Sequence, residues 1–471
     1  MKVSESEYIV SNKPLFKELV NKLNAKYQYA SVLAEDSFGK RYSADKSGVN
    51  VGESEMLTKR GFVVRVYEGG CYAEYSGNLI SSDEIDKIAD IIDNRLVGLG
   101  SQSEKSKYEV PVDESVVLNE STEYLKDPVA LGDEKIVEKM QEIHKKGMSY
   151  DEKIVDCLAI SNYQRYTKLF LSRNKDMVQN VMWASGYVIG MTLKGEELMS
   201  ATRCFSNLGG MEVLDTMSDS VEGVCKTAIE LMNAENLTPG EYECICSPET
   251  TGMIVHEAFG HGVEMDMFVK DRALAQKYVG EYVASPLITM HDGNRALQTA
   301  TYFFDDEGTL SHDTVIIDKG ILVAGISDLQ SALALGTVPT GNGRRESYER
   351  KAYTRMTNTY FEAGTDKLED MIASVKDGLL LEDPNSGMED PKNWGIQCMV
   401  NIAREIKDGK LTGRIFSPIV LTGYVPDLLK SISMVSDKAE LSGTGYCGKG
   451  YKEWVKVSDG GPYIKAKIRL G

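Results

Sequence analysis

Three residues of one predicted helix, His256, Glu257 and His261, have the types and nearly the spacing of a metal site that activates water. Neutral imidazoles are good zinc ligands, and a neighbouring carboxylate can take a proton from a metal-bound water. The histidines are five residues apart, a rotation of about 140° on a regular helix, which is too far for one ion. The spacing therefore predicts a π-like turn or a break at Gly260, where Gly260 and Gly262 lower the conformational cost.

A catalytic zinc site usually has three protein ligands and one open position, so a third ligand must come from elsewhere in the chain. His144 falls in the last turn of a predicted helix, and His291 and His312 fall in polar, turn-like segments where we expect them to face solvent. Cys447 stands out because its neighbourhood, SGTGYCGKGY, is rich in glycine, and exposed backbone N–H groups stabilise a thiolate. From these residues alone, a metal site and a plain buried helix with a histidine pair both remain open.

The elements around this motif predict a β-rich domain with one important helix near its start. A short strand over Glu241–Cys246 leads into Ser247-Pro248, a good N-cap followed by a residue suited to the first helical position. Further short strands are predicted at Thr301–Phe304, Thr314–Ile317 and Ile464–Ile468. We therefore expect residues 236–471 to form a β-rich domain that carries the metal-binding helix.

The first half of the chain combines strands and helices. GFVVRVYEGGCYAEYS, residues 61–76, predicts a hairpin that turns at Gly69-Gly70. Helices are predicted over 81–96, 133–146 and 219–234, the first with a capping box. A polar loop near 98–112 is expected to mark a subdomain edge. The predicted fold class is therefore α+β, with an N-terminal mixed α/β domain over 1–235 and the β-rich C-terminal domain over 236–471.

The composition argues against several classes of partner. Acidic residues outnumber basic ones 71 to 53, and the net charge of −18 disfavours binding to nucleic acid or to an anionic membrane surface. The longest uncharged apolar run, Val181–Leu193, is too short to span a membrane, and the N-terminus lacks the apolar segment of a secretion signal. Eight scattered cysteines without a CxxC pair are typical of free thiols in a reducing compartment. A cytoplasmic protein is predicted, with neither nucleic acid nor membrane as a direct partner.

Four separated segments resemble motifs of the TldD/PmbA family, in the same order. HEAFGHGVEMD at 256–266 resembles the family's metal motif, and FFDDEG at 303–308 and YCGKG at 446–450 match two further patterns. TVPTGNGRRESYERKAYTRMTNTYFEAG at 337–364 resembles the signature GNGRRES…RMTNTY. The hairpin near the N-terminus is also similar to one in the family's first domain, so the resemblance extends over roughly residues 25–470.

The resemblance implies a metallopeptidase that hydrolyses peptide bonds in small or unfolded peptides. By the same resemblance, His256, His261 and Cys447 hold the metal, and Glu257 is the general base that acts on a metal-activated water. One zinc ion per chain is expected, and iron also fits such a ligand set. The family pairs these subunits with a companion, TldE or PmbA, that lacks the metal motif, so a homodimer or a hetero-oligomer with a TldE/PmbA-like subunit is expected. Older names in the family refer to modulators of DNA gyrase.

Five further residues near these motifs are candidates for orienting the ligands or binding the substrate. Glu264 and Asp266 could orient the ligand imidazoles, with capping of the helix end or exposure to solvent as the alternative. Arg344, Arg345 and Arg355 could hold substrate carbonyls or a C-terminal carboxylate, with a surface salt-bridge network as the alternative.

Two other functions compete with a peptidase. The segment 443–448 matches the dinucleotide pattern GxGxxG, but it lacks the βαβ unit and the acidic residue that such a site needs, so nucleotide binding is not expected. The stronger alternative is a non-catalytic scaffold with a structural metal or none, serving assembly with a partner subunit. A scaffold predicts a fourth protein ligand and indifference to loss of Glu257, whereas a peptidase requires an open coordination position and that carboxylate.

Overall fold

The computed structural model describes residues 1–100, 108–450 and 452–471, with the backbone alone at 99 and 100. Within these residues the chain forms two large sheets and two short two-stranded ribbons, with helices packed against the sheets. The predicted α+β class is confirmed, and so is the β-rich character of the C-terminal half.

The first sheet is built before residue 208. The strands there are β1 (Tyr29–Asp45), β2 (Gly48–Glu53), β3 (Lys59–Glu68), β4 (Cys71–Gly77), β5 (Val116–Ser121), β6 (Asp156–Leu171), β7 (Lys175–Lys194) and β8 (Glu197–Asn207). The helices are α1 (Glu7–Asn24), α2 (Ser82–Gly100), α3 (Pro128–Leu131), α4 (Asp133–Met148) and α5 (Val213–Leu231). The strand order is β4-β3-β1-β6-β7-β5, with β2 paired to β1 and β8 paired to β7.

Helices cover this sheet through faces of apolar residues spaced three or four apart. Phe16 of α1 and Ile88 and Ile92 of α2 are fully buried in one cluster with strand residues, while Met140 of α4 and Val221 of α5 belong to another. Among the described residues, none of the helices combines the length and the apolar character that crossing a membrane requires.

The second sheet is built after residue 239. Its half of the chain contains β9 (Gly240–Cys246), β10 (Met290–Asp292), β11 (Thr314–Asp318), β12 (Ile321–Leu322), β13 (Gly343–Arg344), β14 (Tyr353–Thr354), β15 (Asn358–Phe361), β16 (Asp377–Asp390), β17 (Gly395–Lys407), β18 (Lys410–Phe416), β19 (Ile419–Tyr424), β20 (Met434–Ser442), β21 (Tyr446–Lys449), β22 (Lys452–Lys456) and β23 (Ser458–Leu470). The α-helices are α6 (Pro248–Met253), α7 (Met265–Val269), α8 (Leu329–Leu335), α9 (Leu368–Ala373) and α10 (Val425–Lys430).

The strands of this sheet form a closed circuit around its core. The order is β12-β11-β10-β15-β23-β19-β17-β16-β9, and β9 also pairs with β23, so β9, β16, β17, β19 and β23 close on themselves. β9 runs directly into α6, the helix that leads to the two histidines of interest. The circuit therefore fixes the starting point of that helix on both sides.

Several predicted elements are confirmed and one is wrong. The hairpin is formed by β3 and β4, and Gly69 and Gly70 turn it with φ of 58° and 77°. The strand predicted at Thr301–Phe304 is absent from the described structure, where that segment is irregular apart from an isolated bridge. The backbone N–H of Phe303 donates to the Gln179 side chain at 2.8 Å, so a side chain takes the place of a strand partner.

The predicted helices differ mainly at their ends. The helices expected over 81–96 and 133–146 are α2 and α4, while the third begins earlier than predicted, at Val213. The first helix, α1, was not predicted; Pro14 stands inside it, a residue that usually ends a helix.

The predicted domain boundaries remain predictions. The boundary between 235 and 236 falls in the segment between α5 and β9. The subdomain edge near 98–112 includes residues 101–107, which lie outside the described residues.

His291 is buried on β10, so the expectation that it faces solvent was wrong. The residue is 3% exposed, with Nδ1 2.5 Å from Asp313 Oδ2 and Nε2 3.0 Å from Glu362 Oε1. Burial opposes the charged ring, but the two carboxylates outweigh it and raise the pKa of His291 above its ordinary value. These ion pairs compensate for the loss of solvent.

Replacing His291 with asparagine should destabilise the fold more at low pH than at high pH. Because the folded-state pKa is raised, the ion pairs contribute fully below the unfolded-state pKa of about 6.5 and are lost as the pH rises through the folded-state value. At low pH the substitution should lower the free energy of unfolding by on the order of 1.5–3 kcal/mol, as for the loss of hydrogen bonds to charged groups. Urea unfolding of wild type and H291N measures the difference in their free energies of unfolding at two pH values. One is about one pH unit below the unfolded-state pKa, and the other is well above the folded-state pKa. H312N, at an exposed histidine, is the control, and an equal loss at both pH values would contradict the assignment.

Candidate metal centre

The helix that carries the two histidines is regular only at its start. Ser247 caps it, accepting a hydrogen bond from Thr250 N at 3.3 Å, and α6 begins at Pro248 as predicted. From Ile254 to Gly260 the chain forms a π-helix, and His261 opens a 3₁₀ turn. Hydrogen bonds in a π-helix join residues five apart, so residues with that spacing come to one side. The π-like turn that the histidine spacing predicts is confirmed.

Glycines allow this helix to lie very close to its neighbours. A Cβ atom at Gly252 would fall 2.7 Å from the backbone nitrogen of Gly460 on β23. A Cβ atom at Gly260 would fall 2.2 Å from Met356 Sδ. Since real Cβ atoms do not approach other atoms so closely, a side chain at position 252 would displace the helix from β23, and one at position 260 would force Met356 to move.

The distorted helix brings His256 and His261 together with Cys447. Cys447 Sγ lies 3.2 Å from His256 Nε2 and 3.3 Å from His261 Nε2, and the three ligand atoms all lie within 4.8 Å of one another. Tetrahedral zinc, with bonds of about 2.0–2.1 Å to nitrogen and 2.3 Å to sulfur, would separate such atoms by about 3.3–3.6 Å. The donor types and their spacing therefore fit a zinc ion with little adjustment.

The cysteine has the electrostatic surroundings of a thiolate. Cys447 is 6% exposed and lies on β21 opposite Val455 of β22. Burial opposes a charged sulfur, but the imidazoles of His256 and His261 outweigh it and hold the pKa of Cys447 well below its usual range. Burial likewise opposes a charged His256, yet the sulfur raises the pKa of that imidazole to about 9. A thiolate is the form of cysteine that binds a metal.

Each imidazole has a carboxylate beyond it. His261 Nδ1 lies 3.5 Å from Glu264 Oε2, and His256 Nδ1 lies 3.9 Å from Asp459 Oδ2 on β23. A carboxylate hydrogen-bonded to a metal-ligating histidine fixes the orientation of its ring, and Glu264 is placed to do this for His261, whereas His256 Nδ1 has no hydrogen-bond partner among the described residues. Glu264 was predicted for this role from the sequence, whereas Asp459 was not predicted near the cluster, because its proximity depends on β23 packing against the helix.

Glu264 is held in place by two cations. Lys449 Nζ lies 3.1 Å from Glu264 Oε2, and Arg355 Nε lies 3.4 Å from Glu264 Oε1. Burial opposes the charged carboxylate, but Lys449 and its neighbours outweigh it and lower the pKa of Glu264. Asp266 lies 2.7 Å from Lys449 Nζ and 3.2 Å from Lys270 Nζ, so it contacts these lysines rather than an imidazole. Arg355 is 1% exposed and thus belongs to the support of Glu264, not to a surface network.

The other two arginines lie away from the histidines. Arg344 and Arg345 line a separate cavity, described below. Arg344 Nη1 donates to the carbonyl of Met356 at 2.6 Å, and Arg345, with a side chain 3% exposed, is ion-paired to Glu74. Both are therefore committed to contacts within the fold, and Arg345 is buried instead of forming a surface salt bridge.

Glu257 and His256 line one open cleft with a volume of ≈ 660 Å³. Glu257 Oε2 lies 4.0 Å from His261 Nε2, so the carboxylate stands beside the three-residue cluster. Gly387 on β16 packs against it, since a Cβ atom there would fall 2.5 Å from Glu257 Cγ. Thr202 of β8 and other residues of the first half of the chain also line the cleft, so both halves contribute walls.

A second acidic residue near the cluster was missed by the sequence analysis. Both carboxylate oxygens of Glu389 are buried and lack a hydrogen-bond partner among the described residues. Burial raises the pKa of Glu389 well above its usual range, and the nearby Glu257 and Glu264 add to the shift. No local pattern marks this residue, because β16 brings it to the cluster from a distant part of the chain.

Comparison with known proteins agrees with this geometry. A family model described as the PmbA/TldA metallopeptidase C-terminal domain matches residues 239–469. A protein named Metalloprotease TldD homolog from Haemophilus influenzae is 39% identical over 216 residues, which are 45% of this chain and 44% of that protein. The Zinc metalloprotease TldD homolog of Saccharolobus solfataricus is 26% identical over 344 residues, 72% of this chain and 74% of that protein. The chain thus resembles the PmbA/TldD family, by the family model over residues 239–469.

Solved structures share the fold of this chain over nearly its whole length. A protein described as a modulator of a DNA gyrase from Thermotoga maritima superposes with a TM-score of 0.78 at 14% identity, covering 97% of this chain and 100% of that one. TldE from Thermococcus kodakarensis superposes with a TM-score of 0.72 at 18% identity, covering 97% and 100%. By sequence, in contrast, the chain spans about half the length of several curated relatives, such as 57% of a metalloprotease from Methanothermobacter thermautotrophicus.

Removing the cysteine from the cluster should abolish stoichiometric zinc binding. Elemental mass spectrometry should find about one zinc per wild-type chain and much less in C447A. Loss of a residue that only hydrogen-bonds to a metal ligand lowers metal affinity by about 10–100-fold, and loss of a ligand itself should lower it further. C225A, at another buried cysteine, is the matched control and should keep its zinc. Equal zinc in wild type and C447A would place the ion elsewhere.

Proposed function

We propose that this chain is a metal-dependent peptidase that hydrolyses peptide bonds in small or unfolded peptides. The observation that carries the proposal is the position of Glu257, which lines a ≈ 660 Å³ cleft together with His256 and lies 4.0 Å from His261 Nε2. The relatives named metalloprotease support the same reading. A purely structural metal would not need a free carboxylate beside it in an open cleft.

In this proposal His256, His261 and Cys447 hold one zinc ion, and iron would also suit these donors. When bound, the ion lowers the pKa of a coordinated water and polarises the scissile carbonyl. Glu264 keeps the imidazole of His261 oriented, because its carboxylate lies 3.5 Å from Nδ1 of that ring, and Asp459 adds a negative charge 3.9 Å from Nδ1 of His256.

Glu257 acts as the general base in this proposal. Its carboxylate takes a proton from the attacking water and later delivers a proton to the leaving amine. Its backbone lies on the π-helix, and Gly387 and the neighbouring Cys398 restrict the space available to its side chain. A carboxylate with few alternative positions needs little reorganisation before proton transfer.

The free edge of β16 is the proposed platform for the peptide backbone. β16 pairs with β17 as far as Asp390, but it pairs with β9 only over Gly378–Leu381. Residues 382–387 line the cleft beyond that point. A peptide could add to this edge through main-chain hydrogen bonds, which give affinity without demanding a particular sequence.

We further propose that the chain works as a homodimer or as a hetero-oligomer with a TldE/PmbA-like subunit. The resemblance to the metal-bearing side of the family and the shared fold with TldE from Thermococcus kodakarensis support a pairing of this kind. A companion subunit would complete a chamber around the cleft, which suits small or unfolded substrates.

Replacing Glu257 with glutamine should remove activity without removing the metal. Loss of the general base should lower kcat by about 10²–10⁴-fold on an unstructured peptide, while elemental analysis should still find zinc at the wild-type level. E440Q, at an exposed carboxylate lining the same cleft, is the control for a change of charge. Wild-type activity in E257Q would favour the scaffold alternative.

A methyl group at position 387 should impair catalysis by displacing Glu257. The added Cβ would fall 2.5 Å from Glu257 Cγ, so the base must move in G387A. We expect kcat to fall by about 10-fold or more, since small misplacements of catalytic groups have effects of this size or larger, with zinc content unchanged. In G395A, on the adjacent strand β17, the new Cβ meets nothing within 4 Å, and activity should stay near wild type. A wild-type kcat in G387A would mean that the reaction does not depend on the position of Glu257, so Glu257 would not be the general base.

A further inference from the structure

A second cavity lies between the two halves of the chain. Its volume is ≈ 90 Å³, about that of three water molecules at ~30 Å³ each. Trp183 of β7 and Lys168 of β6 line it from the first half, and Lys456 at the end of β22 lines it from the second. The cavity is separate from the cleft, although Tyr446 lines both.

Lys456 is a buried cation without a hydrogen-bond acceptor. The residue is 7% exposed, and no acceptor lies within hydrogen-bonding distance of its Nζ among the described residues. The ammonium lies 4.5 Å from the ring centroids of both Trp183 and Tyr446. The Tyr446 hydroxyl is also buried and unpartnered. Unpaired buried polar groups are costly, and two of them facing the same small cavity point to a missing ligand.

Lys456 differs from the other basic side chains that line the cavity. Five basic and four acidic side chains line it. The other four bases each donate to a carboxylate or a backbone carbonyl: Lys59, Lys168, Arg344 and Arg345. Asp459 attracts Lys456 from the side of the cleft, yet the two form no ion pair in the described structure. Among these five basic side chains, Lys456 is thus the one without a hydrogen-bond acceptor in the described structure.

We propose that this cavity binds a carboxylate, with the Lys456 ammonium and the Tyr446 hydroxyl as hydrogen-bond donors. A carboxylate supplies a negative charge and two acceptor oxygens, which matches these two unpartnered donors. The small volume restricts the ligand to a short organic acid or to the terminal group of a chain. Burial lowers the pKa of Lys456 to about 7, and a bound anion would favour its charged form.

The carboxylate has two sources that the structure allows. One is a free short-chain acid. The other is the C-terminus of a peptide lying in the cleft, since Tyr446 lines both the cleft and the cavity. The second source rests on the proposed peptidase function, whereas the first does not.

Tryptophan fluorescence of the zinc-loaded full chain gives a direct binding test. The chain has three tryptophans, and two of them, Trp183 and Trp454, line the cavity. Acetate and propionate, titrated at constant ionic strength, should change the emission saturably in wild type, and neutral acetamide should not. Binding should be about tenfold or more weaker in K456M, as expected when a charged donor is lost.

Two further variants keep the test decisive. K438M, at an exposed lysine outside the cavity, makes the same charge change and should bind acetate as wild type does. Y446F keeps the charge and loses only the hydroxyl, so it should weaken binding even if K456M does not fold. The proposal is overturned by a flat titration in wild type, by an equal response to acetamide, or by unchanged binding in folded K456M or in Y446F.

Peptide cleavage distinguishes the two sources. A peptide C-terminus as ligand predicts a lower KM for a free-acid substrate than for its C-terminal amide in wild type, and no difference in K456M. Equal KM values in wild type, with acetate binding intact, assign the cavity to a free acid. A chain without peptidase activity would refute the proposed function but leave the fluorescence test unaffected.

Discussion

The five-residue separation of His256 and His261 is the constraint on which the site depends. A regular helix would point the two imidazoles in divergent directions, so the chain adopts a π-helix over Ile254–Gly260 and accepts its poorer geometry. Packing compensates, because Ile254 and Phe259 are fully buried in the core of the C-terminal half. The two rings can then face Cys447 Sγ at nearly equal distances. Every other feature of the site supports this arrangement.

The supporting groups come from parts of the chain that only the folded sheet brings together. Glu264 follows the helix directly, whereas Asp459 arrives on β23 and Glu389 and Gly387 arrive on β16. Because β9 is hydrogen-bonded to both β16 and β23, the helix that follows it starts from a fixed point between these two strands. Residues of β8 and α5, from the first half of the chain, line the rest of the cleft.

The sequence could predict the features that depend on local spacing and local capping. Ser247 and the histidine spacing identified the start of the helix and its distortion, and the glycine-rich setting of Cys447 marked it for attention. Asp459 and Glu389 carried no such signal, since their roles arise from strand pairing between distant segments. The prediction for His291 was wrong for a related reason: its polar neighbours suggested a turn, but Asp313 just before β11 and Glu362 just after β15 compensate for its burial. In each case, contacts between distant parts of the chain determine where the residue lies.

The position of β23 in the chain has a consequence for how the protein is made. This strand pairs with β9, β15, β19 and β20, and it follows Cys447. The circuit cannot close, and Asp459 cannot reach His256, until residues 458–470 have left the ribosome. Contacts between residues so far apart in sequence also form slowly. A chain still being synthesised would thus lack the closed circuit from which the candidate metal centre is built.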